Sequence, residues 1–168
     1  PCFSRRAAVS AAGQGPLAEE AGKSGIRYIP FQAAGRLSLR QAAAIRRVLD
    51  AEKPDVLHTH GGYAGLYGRL AARRARTPIV VHTLHGIHYL HYRNPALRLF
   101  SIWQERLLSR TTDALVLVCR SDLARAAKYR LAAAEKLVAI SNGLDLGPGG
   151  EAPRAPVLRR ELGLDPGA

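Results

Sequence analysis

Short apolar runs alternate with longer stretches of helical spacing along most of the chain. The apolar runs lie at residues 26–31, 55–60, 78–84, 114–119 and 136–141, and AAVSAA at 7–12 is a weaker run of the same kind. Between them, apolar residues recur three and four positions apart, which predicts helices at 16–25, 37–52, 63–76, 96–112 and 122–132. Short apolar strands separated by helices predict an α/β fold with a parallel sheet and helices on both of its faces.

The predicted helix at 37–52 illustrates how the pattern assigns a buried face. Its apolar positions place six residues toward the core: Leu39, Ala42, Ala43, Ile45, Val48 and Leu49. Pro54 then ends the helix before the next strand begins.

The pattern changes after residue 146. GPGGEAPRAP is rich in proline and glycine, which predicts a linker, and VLRRELGLDPGA predicts one short terminal helix. We therefore expect one domain over residues 1–146 and a linker over residues 147–168.

Composition excludes several classes of protein. Hydrophobic residues make up 47% of the 168 residues, enough for a folded core, and no apolar run reaches the roughly 18 residues that span a bilayer. Two lone cysteines, Cys2 and Cys119, form no disulfide framework and fit a reducing cytoplasm. We expect a cytoplasmic protein.

Charge adds a preference for partners that carry phosphate. Lys and Arg total 25 against 13 Asp and Glu, a formal net charge of +12. Such a balance favours nucleic acid, anionic lipid or nucleotide as a partner, but it does not choose among them.

Polar residues and glycines follow four of the predicted strands. Because ligands bind beyond the carboxyl ends of strands in a doubly wound sheet, these residues predict a cleft at that edge. The residues that we assign to it are His60, Gly61, Gly62, His85, Gly86, Arg120, Ser121, Asn142, Gly143 and Asp145. Its glycines allow a ligand to approach the backbone closely.

All six histidines fall between residues 58 and 91, and four of them recur every third residue in HTLHGIHYLH. Three or four ligands must converge on a metal, and this spacing along a strand does not make them converge. We expect His82 to lie hydrogen-bonded within the sheet and His88 and His91 to lie at the surface. His85 ends its strand just before Gly86, where an imidazole can exchange a proton or bind a phosphate or hydroxyl group.

No other pattern in the sequence predicts a metal or a cofactor. GKS at 22–24 resembles part of a phosphate-binding loop, but the first glycine of that motif is replaced by Leu17, and GxGxxG does not occur. We therefore expect neither a metal site nor a cofactor.

Three segments in order resemble the N-terminal domain of the retaining glycosyltransferases of family 4, which have the GT-B architecture. They are PDVLHTHGGYAGLYGRLAARRARTPIVVHTLHG, ERLLSRTTDALVLVCRSD and AEKLVAISNGLDL, and GPLAEEAGKSGIRYIPF is similar to the segment before them. The resemblance covers roughly residues 14–146. It implies a Rossmann-like domain that holds the acceptor, facing a second domain that holds a nucleotide-sugar donor.

The resemblance also implies roles for individual residues. His85 corresponds to a cleft histidine that contacts the donor sugar or phosphate, and His60, Gly61 and Gly62 correspond to the acceptor-side loop. Asn142, Gly143 and Asp145 correspond to a turn at the exit to the linker.

The resemblance implies that the family's opening strand and its C-terminal domain lie outside this sequence. We expect the first absence to leave a gap in the sheet, or to place residues 7–12 there. We expect the second to leave the chain inactive alone.

The alternatives are a non-catalytic acceptor-binding subunit or fragment of a two-chain transferase and, more remotely, a basic nucleic-acid-binding domain. The expected partners are the donor, a sugar or lipid-linked acceptor and an anionic membrane surface at the inner face of the cell, with no nucleic acid.

Overall fold

The computed structural model describes residues 7–10, 16–30, 39–143 and 163 of the chain. The strands are β1 (Ala7–Ser10), β2 (Arg27–Pro30), β3 (Val56–His60), β4 (Ile79–Leu84), β5 (Ala114–Leu117) and β6 (Leu137–Ala139). The helices are α1 (Pro16–Lys23), α2 (Leu39–Glu52), α3 (Gly62–Ala75), α4 (Pro95–Ser109) and α5 (Arg120–Lys128). Short 3₁₀ turns lie at His88–His91 and Ala134–Lys136.

Every strand pair in the described residues is parallel, as predicted. β3, β4, β5 and β6 form a four-stranded sheet in that order, with His60 opposite Thr83, Thr83 opposite Val116, and Val116 opposite Val138. The α/β fold with a parallel sheet flanked by helices is therefore confirmed.

β1 and β2 pair with each other in a separate two-stranded sheet. Within the part of the chain that the structure describes, no strand pairing joins β2 to β3. Among the described residues, β1 therefore pairs with β2 and does not join the four-stranded sheet.

Two apolar clusters hold α2, α3, α4 and α5 against one face of the four-stranded sheet. Leu84, Leu115 and Leu117 pack with Ile102 of α4 and Ala126 of α5. Val80, on the same face, packs with residues of α2 and α3: Leu49, Ala71 and Ala72. The opposite face leaves Val56, Ile79 and Val138 exposed.

α4 and α5 end three and four residues earlier than their apolar pattern predicts. α4 ends at Ser109 instead of Thr112, because the hydroxyls of Thr111 and Thr112 both donate to the carbonyl of Leu108 and close a turn. α5 begins at Arg120 and ends at Lys128, and the left-handed Arg130 (φ 48°) follows it. Apolar spacing alone does not show these turns.

One predicted core residue is wrong. Ala43 of α2 is exposed, and Gln41 is buried instead. An alanine fits either face of a helix, so its position in the pattern says little about burial. The structure does not describe the side chain of Leu39. Asp145 and the predicted terminal helix at 157–168, apart from residue 163, also lie outside the described residues.

Candidate functional site

The loops after β3 and β4 lie side by side at the carboxyl edge of the sheet. β3 ends at His60 and β4 at Leu84, and the two strands are paired in parallel with His60 opposite Thr83. The backbone N–H of Gly61 donates to the carbonyl of Thr83 at 3.2 Å, which ties the first loop to the second strand. This pairing places the residues after both strands at one edge.

His60 and His85 are in direct contact at this edge. Nδ1 of His60 lies 3.1 Å from Nε2 of His85, and their ring centroids are 5.3 Å apart. Both side chains are exposed. One ring must donate its N–H and the other must accept, so each imidazole sets the tautomer of its neighbour.

His58 extends the pair into a row of three rings, and sequence reasoning did not include it in the site. Its ring centroid is 4.2 Å from that of His60, and its Nε2 lies 2.7 Å from Oγ1 of Thr83. The signal was present in the sequence: residues two apart in a strand project from the same face, so His58 and His60 must be neighbours.

The environment of His58 and His60 favours their neutral imidazoles. His58 and His60 are exposed as whole residues, but their rings are partly desolvated. This partial burial lowers the pKa of His58, and the nearby His85 lowers it further. Partial burial is also the first cause of the lowered pKa of His60, followed by the charges of His58 and His85. Neutral rings both donate and accept hydrogen bonds, which suits contact with hydroxyl or phosphate oxygens.

The glycines beside the row have distinct structural roles. Gly61 (φ 73°) and Gly86 (φ 116°) adopt backbone conformations that L side chains rarely take. A Cβ on Gly61 or Gly62 would meet nothing within 4 Å, so the space above the first loop is open. A Cβ on Gly86 would lie 3.1 Å from the His88 ring, so this glycine lets His88 pack against the backbone.

His82 belongs to the interior and not to the edge, as predicted. It is fully buried, and its Nδ1 lies 2.9 Å from Oγ1 and 3.1 Å from the carbonyl oxygen of Thr59. Burial, and next to it the charge of Arg69, lower its pKa to about 3. The ring therefore stays neutral at physiological pH.

A buried ion pair lies on the helix-covered side of the sheet, and nothing in the sequence pattern predicted it. Arg69 of α3 donates to both carboxylate oxygens of Glu105 of α4, at 2.7 and 3.0 Å, and its Nε donates to the carbonyl of Gly65. Both side chains are almost fully buried. Burial raises the pKa of the nearby Tyr89, and the Glu105 charge raises it further. Nε2 of His82 and the hydroxyl of Tyr89 are buried without a hydrogen-bond partner in the described part of the chain.

The remaining predicted site residues lie outside the histidine row. Arg120 and Ser121 open α5, and Oγ of Ser121 contacts Sγ of Cys119 at 3.2 Å. Asn142 and Gly143 follow β6 and are exposed. Among the described residues, no hydrogen bond joins these four to His60 or His85.

Two further properties of the described residues bear on function. Residues 7–10, 16–30 and 39–143 contain no group of three or more His, Cys, Asp or Glu side chains arranged to hold a metal ion. No described helix is both long enough and apolar enough to cross a bilayer.

Comparison with known proteins identifies the family. Residues 7–147 match Glycosyltransferase Family 4. The chain belongs to glycosyltransferase family 4. A galactosyltransferase of Escherichia coli, UDP-Gal:alpha-D-GlcNAc-diphosphoundecaprenol alpha-1,3-galactosyltransferase, is 32% identical over 108 residues.

Solved structures share the fold of this family 4 chain. A glycosyltransferase from Rickettsia africae ESF-5 superposes with a TM-score of 0.67 at 18% identity, over 96% of this chain and 42% of its own. Anabaena Alr3699/HepE, solved in complex with UDP, superposes with a TM-score of 0.61 at 18% identity, over 97% of this chain and 43% of its own.

The family 4 chain matches only part of each of these proteins. The alignment with the E. coli galactosyltransferase covers 64% of this chain but 28% of that enzyme. This chain therefore corresponds to less than half of the length of each of these proteins.

Proposed function

We propose that this family 4 chain is the acceptor-side domain of a glycosyltransferase that moves a sugar from a nucleotide-sugar donor to an acceptor with retention of configuration. In this proposal residues 1–146 form the domain and residues 147–168 lead toward a donor-binding domain. The observation that carries the proposal is the contact of His60 with His85 at the carboxyl edge of the sheet, beside the open space above Gly61 and Gly62.

The histidine pair can bind a sugar or a phosphate with little reorganisation. The contact uses Nδ1 of His60 and Nε2 of His85, so each ring keeps its second nitrogen for a ligand. Because one ring fixes the tautomer of the other, the groups that face the ligand are arranged before it arrives. Preorganised hydrogen-bond donors of this kind stabilise charge that develops in a transition state.

The names of two related proteins indicate a chemical class for the donor and for the acceptor. The name of the E. coli enzyme gives it a UDP-galactose donor and an acceptor joined through diphosphate to undecaprenol, and the Anabaena protein was solved with UDP. For this chain we propose the same classes: a uridine nucleotide-sugar as the donor and a lipid-linked sugar as the acceptor. A cytoplasmic domain whose basic surface meets anionic lipid at the inner face of the membrane would reach such an acceptor.

Transfer in this proposal depends on a donor-binding domain. Donor contacts must be arranged before the reaction to lower its barrier, and in this proposal residues 1–168 form the acceptor side of the cleft. We therefore expect purified 1–168 to transfer no sugar from UDP-galactose to a diphosphate-linked acceptor, while the two-domain enzyme, meaning this chain together with a family donor-binding domain, does so.

Radiolabelled sugar in the acceptor measures this transfer, and the anomeric proton coupling of the product reports its configuration. Turnover by residues 1–168 alone would contradict the dependence on a second domain. An inverted product from the two-domain enzyme would contradict retention.

A further inference from the structure

α4 is apolar on two opposite faces. Ile102 and Leu108 on its inner face are buried against the sheet. Its outer face carries four large apolar side chains with exposures of 63%, 55%, 58% and 41%: Leu99, Phe100, Trp103 and Leu107. Helices on the surface of a globular domain usually present polar residues on the outer face.

These four residues form one continuous stripe. Residues three, four and eight apart lie on the same side of a helix, so positions 99, 100, 103 and 107 line up along α4. The rings of Phe100 and Trp103 are 5.9 Å apart between centroids. Single exposed apolar residues are ordinary, but a contiguous apolar patch on a soluble domain marks an interaction surface.

A cavity whose lining combines three arginines with small apolar residues, called here the arginine cavity, adjoins the C-terminal end of the stripe. It has a volume of about 570 Å³, lies between α4, α5 and the start of β6, and is lined by Arg106, Arg110 and Arg130 with no acidic side chain among its lining residues. Tyr129 fixes one of the arginines, because its carbonyl accepts from Nε and Nη2 of Arg106 at 3.1 and 2.7 Å.

We infer that the stripe and the arginine cavity together form a surface that docks on an anionic lipid bilayer. The stripe enters the boundary between headgroups and acyl chains, and the arginines bind lipid phosphates. An amphipathic helix with Trp, Phe and Leu on one side and arginines beside them is the type that lies flat in this boundary. This inference gives a location to the membrane contact proposed above and rests on that part of the proposed function.

Charge and length favour a bilayer over other occupants of the surface. A second copy of the chain would bring its own net charge of +12 and the same arginines to the contact, whereas an anionic bilayer neutralises them. α4 has 15 residues, fewer than the roughly 20 that a spanning helix needs, so a contact along its length lies on the bilayer and not through it.

The N-terminal end of α4 follows the histidine edge closely in the chain. α4 begins at Pro95, where Asn94 caps it by accepting from the N–H groups of Ala96 and Leu97. The short turn His88–His91 after Gly86 lies just before that cap. A bilayer along α4 would therefore bring lipid headgroups toward the edge where the acceptor is proposed to bind.

The lone tryptophan of the chain makes the inference directly measurable. Trp103 is the only tryptophan among the 168 residues, so its fluorescence reports this surface alone. We expect vesicles of phosphatidylcholine mixed with phosphatidylglycerol to shift the Trp103 emission to shorter wavelength, and vesicles of phosphatidylcholine alone to leave it unchanged. Raising the salt concentration should weaken the effect, because salt screens charges at the surface.

Variants that keep Trp103 test both parts of the surface. Leu107→Ser should weaken vesicle binding about tenfold, the cost of losing roughly one buried apolar side chain. Arg110→Gln and Arg130→Gln should each weaken it about fivefold, which corresponds to about 1 kcal/mol per arginine. All three positions are exposed, so circular dichroism should show an unchanged fold.

The matched controls lie elsewhere on the surface. Ile140 is 58% exposed after β6, and Arg73 is exposed on α3. Ile140→Ser and Arg73→Gln should bind vesicles as the unaltered chain does.

Three results would overturn the inference. One is a Trp103 emission that no vesicle shifts. Another is equal binding to neutral and anionic vesicles. The third is a dimer in sedimentation that Leu107→Ser dissociates while vesicle binding stays unchanged. Vesicle binding is measured without donor or acceptor, so failure here is distinct from failure of sugar transfer.

Discussion

His82 and His85 are three residues apart in one short stretch, yet the structure gives them opposite environments. His82 is fully buried and bonded to Thr59, while His85 is exposed and in contact with His60. The end of β4 at Leu84 separates the two, because residues before it project from the sheet and residues after it enter the loop. The sequence predicted this difference from the position of the strand end.

His58 shows where residue-level prediction stopped. Its contact with His60 follows from the alternation of a strand, but its bond to Thr83 depends on the register between β3 and β4. Register is a tertiary property, and no local pattern in the chain fixes which residue of β4 lies opposite His60. The same limit applies to the contact between His60 and His85.

The buried His82 makes folding stability dependent on pH. The unfolded chain protonates this histidine near its ordinary pKa of 6.5, whereas in the folded chain burial holds the pKa at about 3. The unfolded state therefore binds more protons between these values, and the free energy of unfolding decreases as pH falls through them, by up to about 1.4 kcal/mol per pH unit. We expect the free energy of unfolding, measured with urea at several pH values, to depend less steeply on pH for His82→Gln than for the unaltered chain.

His58 and His60 also have lowered pKa values and add to the same trend, so the difference between variants is the informative quantity. His91→Gln is the control, because His91 is exposed at the surface. We expect the free energy of unfolding of this variant to depend on pH as it does in the unaltered chain. Equal slopes for His82→Gln and the unaltered chain would refute the role given to His82.

Gly65 provides a steric prediction at the same place. A Cβ added there would lie 2.8 Å from Nε2 of the buried His82, so Gly65→Ala forces the ring or the helix to move. Overpacking of this kind costs about 1–3 kcal/mol of folding stability, although alanine is normally the better helix former. Gly62→Ala in the same helix meets nothing within 4 Å and should be neutral or stabilising. Thermal unfolding of the two variants compares them, and a stabilised Gly65→Ala would contradict the close packing on His82.

At the scale of elements, the hydrophobic pattern located every described strand to within about two residues, the usual uncertainty of element ends. The predicted runs at 55–60 and 78–84 became Val56–His60 and Ile79–Leu84. Strand positions are readable because apolar runs bounded by polar turns are local features. Strand order and the division of the strands between two sheets are not local features, so the apolar pattern does not show them.

The contact between α3 and α4 depends on charge that no apolar pattern reveals. Arg69 and Glu105 form a two-pronged ion pair that is almost fully buried. Removing one partner leaves an unpaired charge in the interior, so Glu105→Ala should cost about 3–5 kcal/mol of folding stability. Replacing both by apolar residues of similar size, as in Arg69→Met with Glu105→Leu, should cost far less.

Chemical denaturation of the single and double variants measures this coupling. The surface pair of Arg46 and Asp50 is the matched control, because both side chains are about half exposed and Asp50→Ala should cost less than about 1 kcal/mol. A similar small cost for Glu105→Ala would show that the buried pair does not join the helices.

For the whole molecule, the family and the fold rest on residues 7–147, and the proposed function rests on the edge where β3 and β4 end. Sequence reasoning placed His60, Gly61, His85 and Gly86 at this edge because parallel strands share a carboxyl end. The stripe on α4 went unnoticed in the sequence, since an apolar pattern does not show which of two apolar faces is buried.

The central claim is that His60 and His85 act as one unit in sugar transfer. The most direct test is to measure the rate of sugar transfer by the two-domain enzyme that carries His60→Ala, His85→Ala or both changes. We expect His85→Ala to lower the rate about 10²–10⁴-fold, the usual effect of a positioned acid–base or polar group. Because the rings position each other, the double variant should lose little more than the worse single variant. His91→Ala should transfer normally. Near-normal transfer by His85→Ala, with its fold intact by thermal unfolding, would contradict the account.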